Sequence, residues 1–174
     1  VKLEAPVGRY VKELKGREKL YTITLASQSW LLASLTGTGG RDLDLVLLSS
    51  WFPPDRAPHN CWANQEYDLL VTTDEDSPSG HLAVYDVSQK TGPIPLLSEY
   101  KASDSAIVHN AYFEDEDNER VIMSHYGLGA RYIDLHRPSA PVELGAYDTY
   151  PSGDSGYVGA WGMYNYDPRG YFYI

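Results

Sequence analysis

The chain has 174 residues, 43% hydrophobic and 22% charged, so it is long enough to bury a core and too apolar to stay disordered. Its formal charge of −10 repels phosphate backbones and anionic lipid headgroups and argues against a nucleic-acid partner. The single cysteine, Cys61, excludes an internal disulfide and any multi-cysteine zinc or iron–sulfur site.

The first 44 residues carry no clear repeat. Val1 to Lys19 is interrupted by Lys2, Glu4, Arg9, Lys12 and Glu13, so it lacks the unbroken apolar stretch of a signal peptide. A start at Val1, with no initiating methionine, favours a chain that begins after a processed or missing leader. Leu20–Leu25 and Trp30–Ser34 read as strands. Between them and the next segment, Thr36–Gly40 is glycine-rich but lacks the lysine and the following helix of a phosphate loop. Residues 1–44 are therefore expected to form a diverged sheet unit or an irregular N-terminal segment. Residues 45–174 are expected to form β repeats, about two full units and the start of a third.

From residue 45 onward, short β-rich runs alternate with turn signals. Strands are predicted near 59–64, 67–73, 81–87 and 95–101, and again near 108–114, 119–125, 130–135 and 142–148. Asn64-Gln65-Glu66 and Asp115-Glu116-Asp117-Asn118 supply hairpin turns, Ser77-Pro78-Ser79-Gly80 a loop, and Arg137–Pro141 a helix-blocking connection. No helical period is convincing, and no run approaches 18 consecutive apolar residues, so no membrane-spanning helix is expected. The skew toward 15 Tyr and 4 Trp against 3 Phe suits sheets whose rings reach the water boundary.

Three markers recur in one order. His59-Asn60-Cys61-Trp62 returns 50 residues later as His109-Asn110-Ala111-Tyr112, and more loosely as Trp161-Gly162-Met163-Tyr164. Leu82–Val87 returns as Ala130–Leu135, with Asp86 and Asp134 48 apart. Leu47–Trp51 returns as Leu96–Tyr100 and Glu143–Tyr147. Four strands repeating at this period predict an all-β fold of four-stranded antiparallel β-propeller blades, since such a sheet buries its faces by stacking on neighbouring copies. The chain stops at Tyr171–Ile174, within an expected second strand, which points to a partial set of a seven-bladed-type propeller. Exposed edges in such a piece would favour self-association.

The motifs His-Asn-Cys-Trp at 59–62, Val-Thr-Thr-Asp-Glu at 71–75, Gly-His-Leu-Ala-Val-Tyr-Asp-Val-Ser at 80–88, Ala-Pro-Val-Glu-Leu-Gly-Ala-Tyr-Asp-Thr-Tyr-Pro at 140–151 and Gly-Ala-Trp-Gly-Met-Tyr at 159–164 resemble the LVIVD-repeat propellers called choice-of-anchor B proteins. The resemblance covers about residues 45–174. It implies an exported protein held at the cell surface by a C-terminal anchor, with no established activity.

In a blade the first strand begins on the side where the second strand ends. His59 and His109, Thr73-Asp74-Glu75 and Ser124-His125 are therefore expected to gather on one face, bordered by Trp161 and Asp148–Tyr150. Imidazoles and carboxylates converging there suit a divalent metal, and His59, Asp74, His109 and His125 are the ligands this reading selects. The pattern also has a purely structural reading, in which the repeated His-Asn satisfies buried polar groups of the neighbouring sheet. The acidic run Glu114–Glu119 reads as a solvated hairpin turn, lacking the glycine and spacing of a calcium loop. Asp86 and Asp134 are expected to accept local hydrogen bonds at sheet corners, and Cys61 to pack as a small apolar residue.

No cofactor other than such a metal is implied. With no Gly-x-Ser-x-Gly elbow and no His-Glu-x-x-His helix, the expected role is non-catalytic binding or adhesion to a surface ligand or protein partner. The alternative is a metal-dependent propeller enzyme, a lactonase-like hydrolase or an oxidase.

Overall fold

The computed structural model describes the backbone at 18–25, 29–37 and 43–51, and backbone and side chains at 57–76, 80–89, 91–114, 118–153 and 155–174. Asp115–Asp117 and the loop at 77–79 lie outside the described residues. The fold is all-β, with no helix among the described residues.

Among the described residues, eleven strands follow one another. β1 (Glu18–Leu25), β2 (Ser29–Gly37) and β3 (Leu43–Trp51) form a three-stranded antiparallel sheet in sequence order. β4 (Pro58–Ala63), β5 (Leu69–Asp74), β6 (Leu82–Asp86) and β7 (Leu96–Tyr100) form a four-stranded meander, and β8 (Ala111–Phe113), β9 (Arg120–Ser124), β10 (Ala130–Asp134) and β11 (Val142–Tyr147) form another. Within each sheet every strand pairs with the next, so hairpins and short loops suffice as connections there. The predicted strands are present, but β8 is shorter than 108–114. Ala106 to Asn110 instead form an extended approach tied to β9 by His109 N–H donating to the Ser124 carbonyl at 3.0 Å and Ser124 N–H to that of Asn110 at 2.8 Å.

Side-chain alternation decides how the sheets meet. Leu69 and Val71 on β5, with Leu82 and Val84 on β6, join Ala111, Phe113, Val121, Met123 and Ile133 of the following sheet in one buried cluster. Leu70, Ala83 and Tyr85 point the other way, into a second cluster with Val87, Cys61 and Ala63. Every residue of β5 is buried, as expected of a strand covered on both faces. Fully burying each large apolar side chain contributes roughly 1.5–3 kcal/mol, so the face between these two sheets is a main source of cohesion. β11, by contrast, is exposed along its whole length.

β4 and β8, the first strands of the two four-stranded sheets, lie side by side, and β1 lies against β4. Equivalent hydrogen bonds then recur in register. Thr73 Oγ1 accepts from Asn60 N–H at 3.2 Å and donates to the His109 carbonyl at 2.5 Å. One unit later, Ser124 Oγ accepts from Asn110 N–H at 3.0 Å and donates to the Trp161 carbonyl at 3.3 Å. Trp161 therefore occupies the place of His109, and the segment from Trp161 onward opens a third copy, with Tyr164 and Tyr173 forming an isolated antiparallel bridge. Asp86 and Asp134 match as well: each carboxylate accepts from the N–H two residues on, Ser88 and His136, at 2.8 and 2.7 Å. The Ser88 side chain and then its N–H hold the Asp86 carboxyl below the usual carboxylate range, and the His136 N–H and then its side chain do the same for Asp134.

Candidate functional site

The repeat brings chemically active side chains to one rim of the sheets. His59 lies near the start of β4, Glu75 just past the end of β5, and His109 on the approach to β8. Antiparallel pairing puts the beginning of β4 beside the end of β5, where Pro58 faces Asp74. Stacking of the second sheet then lays His109 on His59, their ring centroids 4.1 Å apart and tilted by 36°.

Glu75 approaches both imidazoles. His59 Nδ1 is 3.2 Å from Glu75 Oε2, and His109 Nε2 is 3.7 Å from Oε1. One ligand-capable atom from each of the three residues lies within 4.8 Å of the others. The same carboxylate accepts a 2.5 Å hydrogen bond from the Tyr126 hydroxyl. Tyr126 is buried and has a φ of +29°, a sparsely populated setting for a residue with a side chain. Its carbonyl accepts from Gly129 N–H at 2.9 Å and Ala160 N–H at 3.0 Å, which holds it there. Burial, reinforced by Glu75, raises its phenol pKa.

His109 is almost fully enclosed, at 3% exposure. Its Nδ1 meets the Trp161 carbonyl, and since a carbonyl can only accept, Nδ1 carries the proton. Burial, together with the adjacent His59, lowers its pKa below the ordinary histidine value. The Trp161 indole stacks on His109 at 5.2 Å with 26° between planes, while the Tyr126 ring meets His109 edge-on at 5.0 Å and Tyr157 edge-on at 5.4 Å. Trp161 is 68% exposed and Tyr157 59%. The rim is thus an imidazole–carboxylate cluster, buried at His109 and partly exposed at His59 and Glu75, with flat aromatic faces open to water. Such a set can hold a cation between its donors or hydrogen-bond a polar ligand against the rings.

Of the ligands selected from sequence, the structure brings together His59 and His109. Asp74 turns aside: its carboxylate accepts from the backbone N–H of His81 and lies 3.2 Å from His81 Nδ1. His125 is fully buried, donates from Nδ1 to the Ile107 carbonyl at 3.1 Å, and its Nε2 meets no hydrogen-bond partner among the described residues. Burial, then the nearby Arg131, pushes its pKa down to about 4. Asp74 and His125 are equivalent positions, as are Glu75 and Tyr126, one residue further along. The missed signal was alternation. Thr73 reaches the His109 carbonyl, so two residues on Glu75 shares that side, whereas Asp74 points away.

Cys61 is half-buried in β4 against the second apolar cluster. Comparison with protein-family models returns no match, and comparison with curated protein sequences returns none.

Proposed function

We propose that this chain is part of a cell-surface β-propeller of the LVIVD-repeat kind and that its work is binding, not catalysis. One observation carries the reading: equivalent positions of successive units converge at one rim, where Trp161 and Tyr157 expose flat rings beside the partly buried His59–Glu75–His109 cluster. A surface that pairs open aromatic faces with a few fixed polar groups suits a ligand with one apolar face and polar edges. A sugar ring is the ligand class that fits. It would lay its C–H face on the Trp161 indole and turn its hydroxyls toward Glu75 and the imidazoles. Blade-like stacking is supported by the middle sheet, whose β5 is buried along its length, and by the adjacent β4 and β8.

Calorimetric titration with neutral cell-wall oligosaccharides tests this. Saturable binding that Trp161→Ala abolishes, with the unfolding midpoint unchanged, is the expected result. No binding, or turnover of lactone substrates that Glu75→Gln abolishes, would overturn it, the second outcome in favour of an enzyme.

A further inference from the structure

We propose that His59, Glu75 and His109 bind one divalent transition-metal ion, with Zn2+ the best fit and a coordination position left open toward the aromatic rim. This goes beyond the binding role above and does not need it, because the metal alone is the probe.

The argument starts from hydrogen positions. The Nδ1–H of His109 is taken up by the Trp161 carbonyl, which leaves Nε2 as the ring nitrogen facing the Glu75 carboxylate, 3.7 Å away. That separation is beyond hydrogen-bond reach. Two ligand-capable atoms therefore face each other in a partly buried site with no hydrogen bond between them, an arrangement that a cation between them satisfies.

The distances suit such an ion. Zinc–nitrogen and zinc–oxygen bonds of about 2.0–2.2 Å at tetrahedral angles put neighbouring donor atoms roughly 3.3 Å apart. The two measured separations, 3.2 and 3.7 Å, bracket that value. The third, within 4.8 Å, closes by a small ring movement of His59, whose side chain is partly exposed.

Outer contacts follow the same logic. A metal-binding imidazole ordinarily donates its other N–H to a carbonyl or carboxylate, which fixes the tautomer, and ligating carboxylates are themselves hydrogen-bonded. His109 has the Trp161 carbonyl in that role, and Glu75 has the Tyr126 hydroxyl. His59 lies in β4, and Glu75 and His109 lie just beside β5 and β8, tied by Glu75 N–H donating to the Ala57 carbonyl and His109 N–H to that of Ser124, so the strand ends set their spacing.

Two imidazoles and one carboxylate select against calcium and magnesium, which require mostly oxygen ligands. Three protein ligands leave the fourth tetrahedral position to water or to a group entering from the rim. Tyr126 is a positioning residue here, acting through Glu75.

The test is Zn2+ binding to chelator-stripped full chain, by calorimetry and elemental analysis. The expected result is one Zn2+ per chain, weakened at least about tenfold by His59→Ala and by Glu75→Gln, and about tenfold by Tyr126→Phe, with far-UV circular dichroism unchanged. A folded chain that takes up no Zn2+, or one whose uptake is unaffected by His59→Ala and Glu75→Gln, would overturn the proposal. Should those variants unfold, Co2+ substitution of the unaltered chain decides: intense visible ligand-field bands support the site, and their absence refutes it. Failure to bind oligosaccharide leaves this outcome untouched, and failure to bind Zn2+ leaves the sugar test standing.

Discussion

Thr73 shows how single side chains tie the units together. Its hydroxyl accepts from Asn60 N–H and donates to the His109 carbonyl while 1% exposed. Thr73→Val keeps the shape and deletes both bonds, leaving buried groups without that partner, so a loss of about 1–3 kcal/mol is expected in denaturant unfolding. His125 provides a pH signature. Its folded pKa is depressed to about 4, below the value of about 6.5 expected when unfolded, so the unfolded chain binds more protons between those limits. Stability therefore rises with pH through that window and is lost as pH falls from about 6.5 toward 4, by on the order of 3 kcal/mol from this group. Unfolding measured from pH 7 to pH 4 should show a shallower acid loss in His125→Asn. An unchanged slope would remove His125 from the account.

At the scale of elements, inner and outer strands should respond differently to truncation. Met123 is fully buried between the sheets, whereas Leu144 on β11 is half exposed. Met123→Ala is expected to cost roughly 2–5 kcal/mol, and Leu144→Ala less than about 0.5 kcal/mol, as read from denaturation midpoints. The turn into β10 is equally constrained. Gly129 has a φ of +74°, and an added Cβ would stand 2.0 Å from the Tyr147 carbonyl oxygen. Gly129→Ala should destabilise by at least about 1–3 kcal/mol and disturb the neighbouring Tyr126 backbone, lowering the order of the rim.

Much of this was legible from the chain. The meander order, the strand positions and the meeting of His59 with His109 followed from three markers recurring near a common period, because equivalent sequence in equivalent hydrogen-bond register lands in equivalent places. Leu20–Leu25 and Trp30–Ser34 also proved to be strands, in a hairpin. The identity of the carboxylate did not follow. Choosing between Asp74 and Glu75 required knowing which face of β5 meets the next sheet, and a strand buried on both faces carries no hydrophobic alternation to reveal it. Tyr126 was hidden for a related reason: its hydroxyl reaches Glu75 across the sheet boundary from 51 residues away. No local motif marks that contact.

For the molecule as a whole, the account rests on consecutive units stacking so that corresponding residues adjoin at one rim. The two rings 4.1 Å apart make this directly measurable, since the chain has five histidines and their ring protons are readily resolved in a histidine-labelled sample. A nuclear Overhauser spectrum should show a strong cross-peak between the ring protons of His59 and His109. Its absence from a folded sample, with each ring instead contacting unrelated neighbours, would contradict the stacking itself.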